Sequence, residues 1–131
     1  KHLSVRELRA VSLSFLKYKR IPHVLGTEQE AIRLAVRYGA DVEAARQLVY
    51  HAAELKDANS PEATTACSIA KYFAAEAANR CAYKAVQIHG GYGYIREYKV
   101  ERIYRDARIC SIYEGTTQVQ QMVIAGNLLK K

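Results

Sequence analysis

Apolar residues return along this chain every three or four positions, the period of a helix rather than that of a strand. Leu3, Leu8, Val11, Phe15 and Tyr18 fall on one face, with Arg6, Glu7, Arg9, Lys17 and Lys19 opposite, so a first amphipathic helix is predicted over 3–18. Pro22 and Gly26 then interrupt the pattern. Thr27-Glu28-Gln29-Glu30 has the form of a capping box and is expected to open the next helix, a cap typically worth about 1 kcal/mol. Ile32, Val36, Val42, Ala45, Leu48, Val49, Ala52 and Leu55 continue it, across a weak point at Gly39, and it should fade near 56–59.

Ser60-Pro61-Glu62 is the clearest start signal: a good N-cap, a proline suited to the first helical position, and an acid at the positive end of the dipole. The alanine-rich run that follows is expected to be helical from Pro61 to His89, where Gly90-Gly91 stops it. Gly90 to Tyr94 reads as a loop, Val100 to Arg108 as a short helix, and 109–113 as an extended link. A last helix begins near Thr116 or Thr117 and carries Val119, Met122, Val123, Leu128 and Leu129. The expected fold is all-α, an up-down four-helix bundle with one short extra helix.

Length and composition agree with this. The chain has 131 residues, 50% hydrophobic and 25% charged, and no stretch that reads as linker, so residues 1–131 are expected to form one domain with a real core. No apolar run approaches a membrane span, and nothing at Lys1 has the form of a signal peptide. Cys67, Cys81 and Cys110 lie at wide spacings without a CxxC, and the four histidines are scattered, so no metal site is expected. The net charge of +7 suits an anionic partner, but the basic residues are spread along the chain. That argues against a nucleic-acid patch and remains compatible with a pyrophosphate ligand.

Candidate chemistry lies in three short stretches. Residues 110–121 read CSIYEGTTQVQQ and place Glu114 just before a helix. That carboxylate is open to two readings: a charge favoured by the helix dipole, or a base. Gln87-Ile88-His89-Gly90-Gly91 is either a plain helix C-cap or a place where the backbone approaches a ligand. Arg102, Arg105 and Arg108 are suited to a phosphate or, the favoured reading, to ion pairs with neighbours such as Glu101 and Asp106. Tyr92, Tyr94, Tyr98, Tyr104 and Tyr113 suit either a planar ligand or a helix seam.

The order of these stretches is more specific than any one of them. Gln87-Ile88-His89-Gly90-Gly91-Tyr92-Gly93-Tyr94, then 100–109 (VERIYRDARI), then Ile112-Tyr113-Glu114-Gly115-Thr116-Thr117-Gln118 closely resembles the C-terminal signature of the acyl-CoA dehydrogenases. Residues 42–50 (VEAARQLVY) and Ser68-Ile69-Ala70-Lys71 resemble that family too, and the likeness extends from about Gln29 to Leu129.

The resemblance implies a flavoenzyme that oxidises acyl-CoA thioesters to trans-2-enoyl-CoA, with a helical bundle as its C-terminal domain. Glu114 is then the base that removes the α-proton while the β-hydrogen leaves as hydride to the flavin of FAD. An exposed glutamate, with a pKa of about 4.3, is a weak base for so weak an acid, and an apolar, water-free pocket makes a carboxylate stronger. Ile109, Ile112 and Tyr113 are candidates to line such a pocket. By the same resemblance Gln87, Gly90 and Gly91 approach the FAD of a neighbouring subunit, and Thr116 and Gln118 that of their own, at a helix start suited to pyrophosphate. The arrangement implies a homo-oligomer, dimer or tetramer. An electron-transfer flavoprotein is the implied acceptor, and the bacterial cytoplasm or the mitochondrial matrix the implied compartment.

Two departures accompany the likeness. Many members carry Arg-x-x-Phe-Gly between the first two helices, where this chain has Tyr18-Lys19-Arg20-Ile21-Pro22, leaving Arg20 as a displaced candidate for FAD contact. The family's N-terminal helical and middle β domains are absent from the sequence, so the chain is expected to be a C-terminal piece, inactive alone. The alternatives are an acyl-CoA oxidase relative and a non-catalytic helical oligomerisation or partner-binding domain.

Overall fold

The computed structural model describes the backbone of residues 21–130, with the side chains of Val36 and of 38–130. The expected helix over 3–18 and Arg20 lie outside the described residues. Contacts divide the chain into two compact units, 1–36 and 37–131. The described part of the first is helical backbone.

Four α-helices and one 3₁₀ turn are described, with no strand among the described residues: α1 (Ile21–Asp57), α2 (Ala63–His89), the 3₁₀ turn Gly90–Gly93, α3 (Lys99–Ile109) and α4 (Thr117–Leu129). The all-α class expected from periodicity is the one observed. The break expected at Pro22–Gly26 is not there. α1 runs through both residues, so Thr27 lies inside the helix and has no helix end to cap. Pro22 stands in the first turn of α1 as described, where a missing N–H breaks no helical bond.

α1 ends as its sequence suggests, by a defined motif. The Ser60 N–H reaches Leu55 O at 2.9 Å and the Asn59 N–H reaches Lys56 O at 3.1 Å, with Asn59 at φ +51. This is a Schellman cap with asparagine, a residue tolerant of positive φ, at its left-handed position. Ser60 then opens α2: its Oγ accepts from the Glu62 N–H at 3.3 Å and its carbonyl from the Ala63 N–H at 3.1 Å. Regular helix begins at Ala63 rather than Pro61 because this first turn is a tight one.

α2 is the axis of the second unit. Its 27 residues extend about 40 Å at 1.5 Å each, and it packs against α3, α4 and the 3₁₀ turn. Its buried alanines lie on separate faces: Ala63, Ala70 and Ala77 recur every seven residues on one, Ala75 and Ala82 on another. α1 contributes buried Ala52, and Asp41 pairs with Arg80 of α2 at 3.2 Å. The core is thus built from methyl groups, and among the described residues no large side chain is fully buried. The apolar stripe of α4 is uncovered, with Met122 66% and Leu129 82% exposed. A helical face of that kind marks a surface made for another surface.

Candidate active site

The link from α3 to α4 is a turn, not the extended segment expected over 109–113. Ile109 O accepts from the N–H groups of Ile112 at 2.9 Å and Tyr113 at 3.1 Å, and Ala107 O from Cys110 N–H at 3.2 Å. The last carbonyls of α3 therefore find donors in the turn, which β-branched residues at 109 and 112 do not prevent. Ser111 is the buried anchor of this turn. Its hydroxyl takes a bond from Arg108 Nη1 and one from Asn79 Nδ2 at 3.5 Å, and donates to Arg108 O at 3.2 Å.

Beyond the anchor the backbone turns left-handed twice, at Glu114 (φ +53) and at Gly115 (φ +88). Glycine adopts such angles freely, but for a glutamate the conformation costs about 1–2 kcal/mol. Gly115 serves a second purpose, since a Cβ there would lie 2.6 Å from Gln120 Nε2. That amide donates to Glu114 O at 3.1 Å and to Gly115 O at 3.4 Å. From α2, Lys71 Nζ donates to Gly115 O at 2.5 Å. Thr117 Oγ1 donates to Glu76 Oε1 at 3.0 Å, and Thr117 N–H to Ser111 O at 3.1 Å. Thr116 caps α4 as its position suggests, its hydroxyl accepting from Val119 N–H at 3.3 Å. Lys71, Glu76 and Asn79 thus tie the turn to α2 along some two turns of helix.

Glu114 itself points outward and is exposed, and among the described residues no hydrogen bond or ion pair engages its carboxylate. Ile109, Ile112 and Tyr113 are each about half exposed, so this chain does not enclose the carboxylate by itself. Beside it the Tyr113 hydroxyl meets Cys110 Sγ at 3.9 Å, a contact that pushes the phenol's pKa up.

Thr116 and Gln118 line a cleft of about 500 Å³ together with Arg80, Tyr83, Tyr104 and Arg108. Of the first N–H groups of α4, two are already engaged, Thr117 by Ser111 O and Val119 by Thr116 Oγ1, which leaves that of Gln118 for a ligand. Gln87, Gly90 and Gly91 sit elsewhere, exposed at the far end of α2. Sixteen residues separate Lys71 from Gln87, about 24 Å along the axis. Gly90 (φ +57) ends the helix, and the next three residues complete a 3₁₀ turn rather than an open loop, with Tyr92 and Tyr98 rings 5.3 Å apart. His89 Nδ1 donates to Ala85 O at 2.8 Å, a helix-end bond that accounts for the residue.

The arginines of α3 hold the helix as favoured from sequence. Arg105 pairs with Glu101 at 3.2 Å and Arg102 with Asp106 at 3.5 Å, while Arg108 turns to Ser111. Lys71, Gln120 and Gly93 were not singled out by sequence reasoning. Their signals are a lysine in a small-residue helix face, an amide four residues past an N-cap, and a third glycine after a pair. No group of three or more metal-ligating side chains occurs among the described residues.

Residues 23–129 match the family described as "Acyl-CoA dehydrogenase, C-terminal domain". Over 90 residues, 69% of the chain, 64% are identical to the caffeyl-CoA reductase–Etf complex subunit CarC of Acetobacterium woodii, of which they cover 24%. The bovine mitochondrial short-chain specific acyl-CoA dehydrogenase is 51% identical over 89 residues, 68% of the chain and 21% of the relative. Among solved structures, butyryl-CoA dehydrogenase of Megasphaera elsdenii superposes with a TM-score of 0.68 at 41% identity, covering 88% of this chain and 28% of that one. A chain from the electron transferring flavoprotein structure of Acidaminococcus fermentans gives 0.74 at 44% identity, covering 79% and 27%. The chain spans about a quarter of the length of the relatives it matches.

Proposed function

This chain belongs to the acyl-CoA dehydrogenase family, as its C-terminal domain, and from that premise we propose that it carries the proton-abstracting carboxylate of a flavoenzyme acting on acyl-CoA thioesters. The observation that supports this most is the turn at Glu114. A charged residue is held in a left-handed conformation, in a turn whose two carbonyls are bound from two helices, while its carboxylate is left without a partner among the described residues. Strain concentrated at one polar residue on an over-determined backbone is typical of functional positions.

In this reading Glu114 takes the α-proton of the thioester, and the rigid turn fixes the direction from which it does so. Ile112 and Tyr113 flank the carboxylate, and water is excluded once further protein covers them. The cofactor proposed is FAD, which when bound accepts the β-hydrogen as hydride. The cleft at Thr116 and Gln118 offers a pyrophosphate the guanidinium groups of Arg108 and of Arg80, the latter shared with Asp41, and one free N–H at the positive end of α4, while the Glu76 carboxylate in the same lining is engaged by the Thr117 hydroxyl. Gln87, Gly90 and Gly91, at the C-terminal end of α2 beyond the cleft and about 24 Å from Lys71, are proposed to meet the cofactor of a second subunit in a homo-oligomer. The likeness to an Etf complex subunit supports an electron-transferring flavoprotein as redox partner. Relatives from bacteria and from mitochondria keep the bacterial cytoplasm and the mitochondrial matrix as its compartments.

A specific observation favours a second direction for the same chemistry. The relatives at 64% and 60% identity are described as a caffeyl-CoA reductase subunit and a 3-(aryl)acrylate reductase. Run in reverse, Glu114 delivers the α-proton to an enoyl thioester, so the residue assignments do not change. The test is Glu114→Gln in the full-length enzyme, assayed in both directions with saturated and 2-enoyl thioesters. Loss of a general acid–base should lower the rate about 10²–10⁴-fold. An unchanged rate would reduce Glu114 to a helix-terminal charge.

A further inference from the structure

The geometry points to Lys71 and Gln120 as positioning residues that hold the Glu114–Gly115 backbone in its left-handed turn and so aim the carboxylate. The inference rests on Glu114 being the base. Both carbonyls of the turn are bound by side chains: Glu114 O by Gln120 Nε2 at 3.1 Å, Gly115 O by the same amide at 3.4 Å and by Lys71 Nζ at 2.5 Å. The two donors come from different helices, α2 and α4, so the turn is held from two sides.

Lys71 is half-buried, and among the described residues no carboxylate lies within ion-pair distance of it. A half-buried ammonium aimed at a neutral carbonyl is an unusual use of a lysine, because its charge gains nothing from an opposite charge there. It does make a charge-assisted bond, roughly twice as strong as a neutral one, to one backbone oxygen. Gly115 at φ +88 supplies the conformation that presents that oxygen, and its missing Cβ leaves room for Gln120. A left-handed glutamate does not hold itself in place. Without these donors the dipeptide is held only by the flanking bonds of the Tyr113 and Thr117 N–H groups, and it relaxes more readily toward right-handed angles, which swings the side chain away.

The test has two parts. In the 131-residue chain, Lys71→Met and Gln120→Met are compared by NMR. The expected result is an upfield move of the Gly115 carbonyl carbon and altered signals over 113–117, with α2 signals retained. In the full-length enzyme, exchange of the substrate α-proton with deuterated solvent reports proton abstraction without turnover. Each variant should slow that exchange about 10–100-fold, the effect of an ångström-scale misplacement, with KM held. Methylammonium should restore part of the rate to Lys71→Ala. If Lys71→Met fails to fold, Gln120→Met tests the same turn through its other donor. Unchanged exchange and an unmoved Gly115 carbonyl in either folded variant would overturn the inference. Glu114→Gln, run alongside, separates the two ideas: exchange lost there but kept in the other variants sinks the positioning role alone. Exchange kept in Glu114→Gln sinks the base.

Discussion

Replacing Glu114 by glycine should make this domain more stable, although it removes the residue proposed to do the chemistry. Glu114 sits at φ +53, where a Cβ costs about 1–2 kcal/mol. Its carboxylate is exposed and engages no described residue, while the bonds that hold the turn run to its carbonyl. The side chain can therefore be removed without removing a contact. Glycine relieves the left-handed penalty but loses more freedom on folding, about 0.4–1 kcal/mol. Alanine removes the carboxylate and keeps the penalty, so the comparison of Glu114→Gly with Glu114→Ala isolates the backbone. At the middle of both ranges the glycine variant is the more stable by about 0.8 kcal/mol.

Equilibrium urea unfolding followed by far-UV circular dichroism measures this directly, as a shift in midpoint at constant slope. Thermal unfolding should separate the two variants by about 3 °C. A glycine variant no more stable than the alanine variant would mean that the turn is not strained at this residue. The argument that Glu114 is kept there for function would then lose its physical basis. A more stable, inactive glycine variant is the trade expected where a strained site is maintained for activity.

Gly93→Ala should destabilise the domain by about 1–3 kcal/mol, because the new methyl would meet backbone atoms, Val86 O at 2.6 Å and Val86 Cα at 3.0 Å, that do not yield. Urea unfolding checks it, and Gly91→Ala, with open space around the new Cβ, is the control. Thr116→Ala should cost about 1 kcal/mol through loss of the bond to Val119 N–H, with Thr116→Ser close to wild type in the same assay. Burial, and then the charge of Asp41, push the Cys81 thiol above its ordinary value of 9.0, against a smaller opposite pull from Arg80. The folded state keeps that proton longer than the unfolded chain, so its contribution is complete below about pH 9 and declines as pH rises through the folded value. Wild type should therefore lose stability relative to Cys81→Ala as pH rises above about 9, and parallel curves would show that the shift is absent.

Much of the fold was legible because its signals are local. Asn59 and Ser60-Pro61-Glu62 end one helix and begin the next within a few residues, and both work through bonds to their own neighbours. Thr116 caps α4 for the same reason. Errors arose where a local rule was overruled. Pro22 and Gly26 read as breakers, yet α1 runs through both, Pro22 in the first described turn and Gly26 at a cost of only about 1 kcal/mol. Ile109 and Ile112 suggested an extended link, but Ser111, buried and bonded from Arg108 and Asn79, folds that segment into a turn. The outward stripe of α4 is apolar by pattern and uncovered in this chain, because periodicity reports that a face is meant to be buried and not what buries it. Lys71 is the instructive omission. Its partner is a backbone carbonyl 44 positions away, and no spacing rule links a side chain to a distant main-chain oxygen.

The distribution of chemistry along α2 bears on how such a site is completed. Its middle, at Lys71, Glu76 and Asn79, ties down the turn that carries Glu114. Its end, at Gln87, Gly90 and Gly91, presents a second set of candidate contacts, about 24 Å from Lys71 and about 12 Å from Asn79 along the same rod. A straight helix does not bring its own two ends together, so one copy of this unit presents the two sets to different places. In the homo-oligomer proposed above, a twofold axis running across α2 would bring the Glu114 end of one copy toward the glycine end of the other, and an isologous contact would do so twice. The uncovered apolar stripe on α4 is the kind of surface such a pairing needs, since exposed large side chains supply area. On this reading the length of α2 is itself a functional parameter. Removing Lys84-Ala85-Val86 would leave the residues that hold the Glu114 turn and the cleft residues Arg80 and Tyr83 in place, while drawing the second set in by about 4.5 Å and rotating it by about 60°. Flavin affinity of the oligomer should fall, and the stability of the Glu114 turn should not.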